Sequence, residues 1–447
     1  MKKIGIIGGG FMGMTLGHKL AKAGASVQVF ERSSQVGGLA TWEDYGSFTF
    51  DRFYHVILPG DQFLLDIIRD LGIEDRLVWQ QTYTGYYVNE QFYDMSTSMD
   101  FLKFPPLGMF SKGRLALTIL RGSRISDWKS MEQMTIEEWL VKIGGRNTFE
   151  KFWKPLLLAK LGENYKRVSA VFIWTYIKRL FEARDSSSAE RAEHMGYVSG
   201  GYKTVFDAMT ASVESHGGTI HTNAAVTQIE PAPEGGMLVH TEAGSTHFDK
   251  VIFTSPVNVL QKVAAPGLIE VQQDGREVEY LGVVCMVLKT TRSFTPYYVL
   301  NLADDKVPFT GVIGMSTLVD KADTGGYELT YFPKYVLSTD PILQKSDEEL
   351  SEWFIQGVKS LYPDLKSEEI VEAHINRAFK VQPLQVLNYS DIVPKSKTLH
   401  PDMYVVNTSQ FVNDTLNNNS VARHIHKFLE AHQKSLLSEQ PETTHQL

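Results

Sequence analysis

Gly8-Gly9-Gly10-Phe11-Met12-Gly13 follows the apolar run Ile4-Gly5-Ile6-Ile7, and a second alternating run, Ser26-Val27-Gln28-Val29-Phe30, ends on Glu31. The order reads as strand, tight turn, helix, strand and acid, an arrangement that binds a dinucleotide. Gly8 permits the turn, Gly10 lets backbone approach a pyrophosphate, and Gly13 lets the helix lie close to the strand. The helix N-terminus then turns unpaired N–H groups and a partial positive charge toward the phosphates. Glu31 stands where a carboxylate can accept hydrogen bonds from an adenosine ribose.

A glycine doublet, Gly37-Gly38, lies just beyond that acid and allows a second close approach of backbone to a long ligand. Glu31-Arg32, followed by Val36-Gly37-Gly38-Leu39, resembles the second flavin motif of the amine oxidase and protoporphyrinogen oxidase superfamily. The resemblance implies FAD rather than NAD, with Gly8, Gly10, Gly13, Glu31, Arg32, Gly37, Gly38 and Leu39 in contact with it.

Further along, Phe50-Asp51-Arg52-Phe53-Tyr54-His55 gathers an acid, a guanidinium, a phenol and an imidazole. A flavin carries the hydride chemistry itself, so the protein must hold a substrate C–H near it and exclude water. A chain leaving the Gly37-Gly38 turn runs along the ligand toward its reactive ring, and residues 51–55 are therefore expected to line the substrate pocket. His55 is the candidate proton acceptor, or else a structural histidine bonded to backbone. Arg52 and Tyr54 are candidates to orient a polar or phosphorylated substrate. Lys160, late in Leu156-Leu157-Leu158-Ala159-Lys160-Leu161-Gly162, is a second catalytic candidate, or else a cation satisfying a helix C-terminus. No His/Cys/Asp cluster has metal-ligand spacing, so no metal is expected.

Composition bounds the rest. At 447 residues the chain calls for two or three domains. It is 43% hydrophobic and 21% charged, as in a soluble globular protein, and a net charge of -8 argues against nucleic acid as a partner. A single cysteine, Cys285, precludes an intrachain disulfide and fits a reducing compartment. Its apolar surroundings, residues 281–288, read as a buried strand. No apolar run is long enough to span a bilayer. The expected location is cytoplasmic. A peripheral contact at the inner face of the membrane is suggested by the apolar stretch 101–110, followed by Lys112, Arg114, Arg121 and Arg124. Ordinary packing between domains is the alternative for that stretch.

The elements that must position these residues follow from periodicity. Helices are expected over 11–23, 61–72, 149–161, 169–181, 204–216, 346–361, 367–378 and 419–434, with Thr135 capping another. Residues 83–88 and 91–93 read as a hairpin around Asn89-Glu90. Strands are expected over 219–222, 226–229, 237–241, 248–254 and 403–406, and 279–334 is strand-rich.

This order, with the Gly200-Gly201 block in mid-chain and the C-terminal strand–loop–helix, resembles the FAD-dependent amine oxidase-like oxidoreductases as a whole. Protoporphyrinogen oxidases, phytoene desaturases and UDP-galactopyranose mutases belong to that superfamily. Phe50-Asp51-Arg52-Phe53-Tyr54-His55, the 155–162 run and Pro308-Phe309-Thr310-Gly311 look like a bacterial branch associated with surface polysaccharide or lipid-linked sugar synthesis. The resemblance implies an α/β fold with a discontinuous Rossmann-like FAD-binding domain (1–55, 196–256 and 396–434). An α+β substrate domain (56–195 and 257–395) would carry a helical insert at about 101–185, and 435–447 would be a disordered tail. It implies that the Val226 backbone meets the adenine and that Asn419, Ser420 and Val421 face the pyrimidine end of the flavin. The function implied is FAD-dependent dehydrogenation of a small or lipid-linked substrate. Two rivals stand beside it: a mutase-like isomerase using reduced FAD, and a non-catalytic binding protein of the GDP-dissociation-inhibitor type. Two departures from the superfamily are visible. Leu39 stands where many members carry Arg or Lys, and Asn407-Thr408-Ser409-Gln410 lacks the usual Gly-Glu or Gly-Asp.

Overall fold

The Ile4-Gly5-Ile6-Ile7 run forms the middle of a parallel sheet because a strand covered on both faces must be apolar throughout. Lys3–Ile7 pairs with Ser26–Phe30 on one side and Lys250–Phe253 on the other. Thr219–His221 and Met403–Val405 complete a five-stranded sheet, all of it parallel. The computed structural model describes residues 1–182, 193–270, 275–304 and 306–438. The parallel sheet thus draws its strands from the two ends and the middle of the chain.

Helices Phe11–Lys22, Gln62–Asp70, Tyr202–Ser215 and Asn418–Leu437 bury one face of this sheet, sharing a core that includes Leu16, Val29, Phe206 and Ile425. The opposite face is covered by a three-stranded antiparallel sheet, Val226–Pro231, Met237–Thr241 and Gly244–Phe248. Gly5 admits that cover: a Cβ there would stand 3.0 Å from the Phe248 ring.

A second sheet has seven strands, in the order Ile370–Pro383, Tyr280–Thr290, Glu328–Leu337, Gly311–Gly314, Val299–Leu302, Thr84–Val88 and Gln91–Asp94. Tyr280–Thr290 is buried along its whole length. Val284, Met286 and Leu288 face the core under helix Asp347–Leu361, while Val283, Cys285 and Val287 face the opposite core with Tyr45 and Phe50. Burial pushes the Cys285 thiol far above its ordinary range, as befits an inert packed side chain. Asn89 and Glu90 both adopt positive φ, of 53° and 60°, and turn the Thr84–Val88 hairpin tightly.

Three expectations need correction. Residues 367–378 read as helix because Ser-Glu-Glu precedes a segment with Ala, Glu and Arg. Only Ser367–Glu369 makes a helical turn, and Ile370–Pro383 is a strand. Ile375 lies opposite Met286 and Asn376 opposite Cys285, so ladder pairing with a fully buried strand outweighs a modest helix propensity. Residues 149–161 are not one α-helix: Phe149–Trp153 is a π-turn, and the α-helix is Lys154–Leu161 with Pro155 in its first turn. The last helix continues to Leu437, past position 435 where a tail was expected; 439–447 lie outside the described residues.

The insert forms its own core. Helices Met109–Arg124, Ile136–Gly144, Lys154–Leu161 and Ala170–Glu182 pack around Leu115, Trp139, Trp153 and Trp174. Thr135 and Glu138 exchange capping hydrogen bonds at the start of the second of these.

Asp51 joins the layers. It is 2% exposed, and its Oδ1 accepts the Tyr202 N–H at 2.7 Å, capping helix Tyr202–Ser215, whose preceding residue, Gly201, has no side chain to do so. Asp51→Ala should leave that buried donor unpaired and cost about 1–3 kcal/mol. Denaturant melts of variant and wild type at equal FAD loading check this; an unchanged midpoint would contradict the capping role.

Candidate functional site

The two glycine segments lie side by side. The Gly37 N–H donates to the Gly9 carbonyl at 2.9 Å, and Gly10 and Gly37 form a parallel bridge. Gly8 has φ 113°, and a Cβ on it would meet Thr254 Oγ1 at 2.6 Å and Ser255 Oγ at 2.8 Å. A Cβ on Gly13 would stand 1.9 Å from the Gly8 carbonyl oxygen, so no larger residue fits there without moving the backbone. Gly10 differs: its Cβ would find only Gly38 Cα, at 3.8 Å, and otherwise open space. The floor between the two segments is bare backbone, a channel that side chains on Gly10 and Gly38 would begin to fill. The helix behind it, Phe11–Lys22, has no side-chain cap and no acid in its first turn, so its N–H groups are left for a ligand.

Glu31 ends the second strand beside this floor. Its Oε2 accepts the Gly9 N–H at 2.8 Å and its Oε1 the Ser33 N–H at 2.9 Å. These bonds hold the carboxylate still while each oxygen keeps a lone pair. Ala224 N–H bonds to the Glu31 carbonyl and Asn223 N–H to that of Ser33, which brings the turn before Val226 against the same edge. Arg32 is exposed and Leu39 half-buried, in the turn Gly38–Ala40.

At the other end, Asn417 caps the final helix by accepting the Ser420 N–H at 2.9 Å, and Asn419 accepts the Leu64 N–H at 3.1 Å. Asn418 is between them, its buried amide nitrogen facing the Tyr202 hydroxyl. Ser420 and Val421 are themselves buried, Ser420 bonding Asp414 at 2.7 Å. Asn407-Thr408-Ser409-Gln410, the departure noted in the sequence, locks a turn: Asn407 and Gln410 cap each other, and Asn407 Nδ2 donates to the Ser255 carbonyl at 3.0 Å.

Residues 51–55 divide in two. Asp51 is structural, and Arg52 is paired with Glu43 at 2.9 Å. His55 and Tyr54 keep accessible surface. The His55 ring lies 4.9 Å from that of Tyr202, which in turn packs edge-on against Phe11 at 6.1 Å. His55 Nδ1 lies 2.9 Å from the Phe53 carbonyl, which can only accept; Nδ1 therefore carries the proton and Nε2 presents a lone pair.

The Tyr54 hydroxyl meets that of Tyr335 at 2.8 Å. Lys160 Nζ donates to the Tyr176 hydroxyl at 2.6 Å and lies 5.6 Å from the centre of the Tyr335 ring. Tyr54, Tyr335 and Lys160 are surrounded by protein and yet retain accessible area, as residues lining an internal cleft do. Burial raises the Tyr54 and Tyr335 phenols, so both stay protonated. Burial works against the Lys160 charge, but the oxygens of Tyr176 and Tyr335 outweigh it and hold the ammonium above its ordinary range. No carboxylate contributes to its environment. Tyr335 and Tyr202 were not singled out as site residues in the sequence; Tyr54 and Tyr335 are 281 positions apart, and nothing local marks their meeting.

The family model of flavin containing amine oxidoreductases matches residues 13–390. The chain belongs to this family. Among curated relatives of this amine oxidoreductase, the 15-cis-phytoene desaturase of Synechococcus elongatus is 24% identical over 246 residues, 50% of this chain and 49% of that protein. The chain thus spans about half the length of the curated relatives it matches, or less. Among solved structures, an oxidoreductase from Methanosarcina mazei is 19% identical with a TM-score of 0.72, covering 96% of this chain and 100% of that one. A reduced UDP-galactopyranose mutase is 16% identical with a TM-score of 0.71, covering 98% of each. These likenesses are of fold.

The cofactor of this amine oxidoreductase is FAD. The residues fit it: bare backbone at Gly10 and Gly38, an anchored acid at Glu31, and uncapped N–H groups at Phe11–Lys22. The purified protein should be yellow and release FAD, not FMN, on denaturation. Glu31→Ala should lose most of it, since a hydrogen bond to a charged group is worth roughly 1.5–3 kcal/mol. Flavin absorbance per mole of protein measures this, and full occupancy in the variant would remove Glu31 from the cofactor site.

Proposed function

We propose that the protein is an FAD-dependent dehydrogenase whose substrate joins an anionic group to a long apolar part. The observation that carries the reading is the Lys160 ammonium, deep in a phenol-lined cleft with no carboxylate to balance it. The phenols keep this ammonium charged, and with no carboxylate beside it among the described residues it attracts a ligand that brings the opposite charge. Tyr54 and Tyr335 add neutral donors, and their rings give apolar walls to the rest of the molecule. A relative named for phytoene desaturation supports a substrate with a long apolar part. A lipid-linked sugar intermediate of surface polysaccharide synthesis meets both requirements.

Bound FAD supplies the acceptor for a hydride from a substrate C–H, and oxygen or another two-electron acceptor removes the electrons afterwards. This chain's part is to place and deprotonate. Lys160 anchors the anion, with Tyr176 orienting the ammonium. Tyr54 and Tyr335, hydrogen-bonded to each other, exclude water from the same wall. His55 Nε2 takes the proton from the substrate atom beside the oxidised carbon, with Phe53 fixing the tautomer.

The test uses holoenzyme of measured FAD content. Binding of benzoate and phenyl phosphate, with benzyl alcohol as the neutral control, is followed by calorimetry. Lys160→Met should weaken the two anions at least about ten-fold, the lower end expected of a lost hydrogen bond to a charge, and leave the alcohol unaffected. Lys160→Arg should restore much of the anion binding. Equal losses for all three probes, or none, would overturn the anionic assignment. Separately, His55→Ala should slow flavin reduction by a turned-over substrate roughly 10²–10⁴-fold with FAD content and melting temperature unchanged. A fall in melting temperature with activity per folded molecule preserved would make His55 structural.

A further inference from the structure

Helix Met109–Arg124 is turned inside out. Its buried positions include Ser111, Lys112 and Thr118 beside Leu115, and its outward face carries Met109, Phe110, Leu117 and Leu120. Phe110 is 77% exposed and Met109 70%, so most of each side chain meets solvent. The preceding helix, Ser98–Lys103, adds exposed Met99 and Leu102 to the same stretch. Lys112 ties the two helices together: its Nζ donates to the Leu102 carbonyl at 2.6 Å. Its ammonium is thereby spent on holding the apolar residues in place rather than on meeting solvent.

The charge around this patch is mainly positive: the carboxylate within it, Asp100, is turned onto its own helix start, accepting the Thr97 N–H at 2.8 Å. Helix Met109–Arg124 contains no acid. Lys103, Arg114, Arg121 and Arg124 have no carboxylate partner among the described residues, in a chain whose net charge is -8. Other exposed cations on this protein do find one, as Lys166 does with Glu163 and Arg167 with Glu279. Arg114 stacks over the Phe110 ring at 5.5 Å, leaving its charge beside the most exposed apolar group. Long apolar side chains rimmed by unpaired guanidinium groups, with the far side of the helix packed on protein, match the interfacial zone of an anionic bilayer. A protein groove would need acids placed opposite each arginine; lipid headgroups supply negative charge everywhere along the surface.

We propose that residues 99–124 dock this protein on a membrane containing anionic lipid, with Phe110 and Met109 entering the headgroup region and Lys103, Arg114, Arg121 and Arg124 against the phosphates. This surface belongs to the helical insert that also carries Lys160 and Tyr176. It rests on exposure and charge alone and would stand whatever the substrate.

Flotation of the FAD-loaded full chain with vesicles tests it. The protein should float with phosphatidylcholine vesicles containing phosphatidylglycerol, stay below with phosphatidylcholine alone, and be released by high salt, which screens surface charge. Two double variants separate the contributions. Met109→Ser with Phe110→Ser removes the apolar anchor, and Arg121→Glu with Arg124→Glu reverses charge. Each should lower the bound fraction at least about ten-fold, since each cation near an anionic surface is worth a factor of about five. Both are to retain wild-type FAD content and melting temperature, which shows that the fold is intact. Failure of the wild type to float with phosphatidylglycerol, or equal binding by wild type and both variants, would overturn the proposal. So would a wild-type dimer in sedimentation that Met109→Ser with Phe110→Ser converts to monomer, because a second copy would then be what covers this face.

Discussion

Asp51 is a carboxylate removed from water, and such a group is tolerated only when its oxygens are used. Its Oδ1 holds the N-terminus of Tyr202–Ser215, a helix packed on the parallel sheet. Its carbonyl accepts the Tyr331 hydroxyl at 2.5 Å, and Tyr331 belongs to the seven-stranded sheet. Its Oδ2 stands 3.7 Å from His55 Nδ1. One residue therefore sets how the two sheets meet and where the chain leaving them carries Tyr54 and His55.

The glycine floor works by what it lacks. Gly8 and Gly13 are required by contacts too close for a Cβ, whereas Gly10 faces space. The first two are the means by which the helix Phe11–Lys22 reaches its position; the third leaves room for the ligand at that helix's positive end. Glu31 connects the two tasks, since its bonds to Gly9 and Ser33 brace the loop and aim the acid together.

The cleft wall is assembled from three separate parts of the chain: Tyr54 beyond the glycine pair, Lys160 and Tyr176 on the insert, and Tyr335 on the large sheet. Such a wall is rigid only if each part has a core of its own. Trp139, Trp153 and Trp174 provide that core beneath Lys160, and the buried strand Tyr280–Thr290 provides it beside Tyr335. The phenol oxygens of Tyr176 and Tyr335 offset the cost of burying this ammonium, so the wall keeps a cation with no carboxylate beside it among the described residues, and with it a preference for anions.

How much was legible in the residues depended on the range of the physics involved. The turn at Gly8, the acid at Glu31, the doublet Gly37-Gly38, the hairpin at Asn89-Glu90 and the cap at Thr135 are each decided within a few residues, by φ above zero or by a side chain reaching its own backbone. Those features are written in the sequence by itself, and with them the dinucleotide-binding fold. The strand Ile370–Pro383 was misread because its partner, Tyr280–Thr290, supplies the energy that overrides local propensity. The split of residues 51–55 into a buried cap, an ion pair, a phenol on Tyr335 and a half-buried histidine on Tyr202 was equally hidden, since it turns on Tyr202, Glu43 and Tyr335. Tertiary structure alone decided which polar side chains face one another, because a contact across 281 positions leaves no periodic trace in either segment.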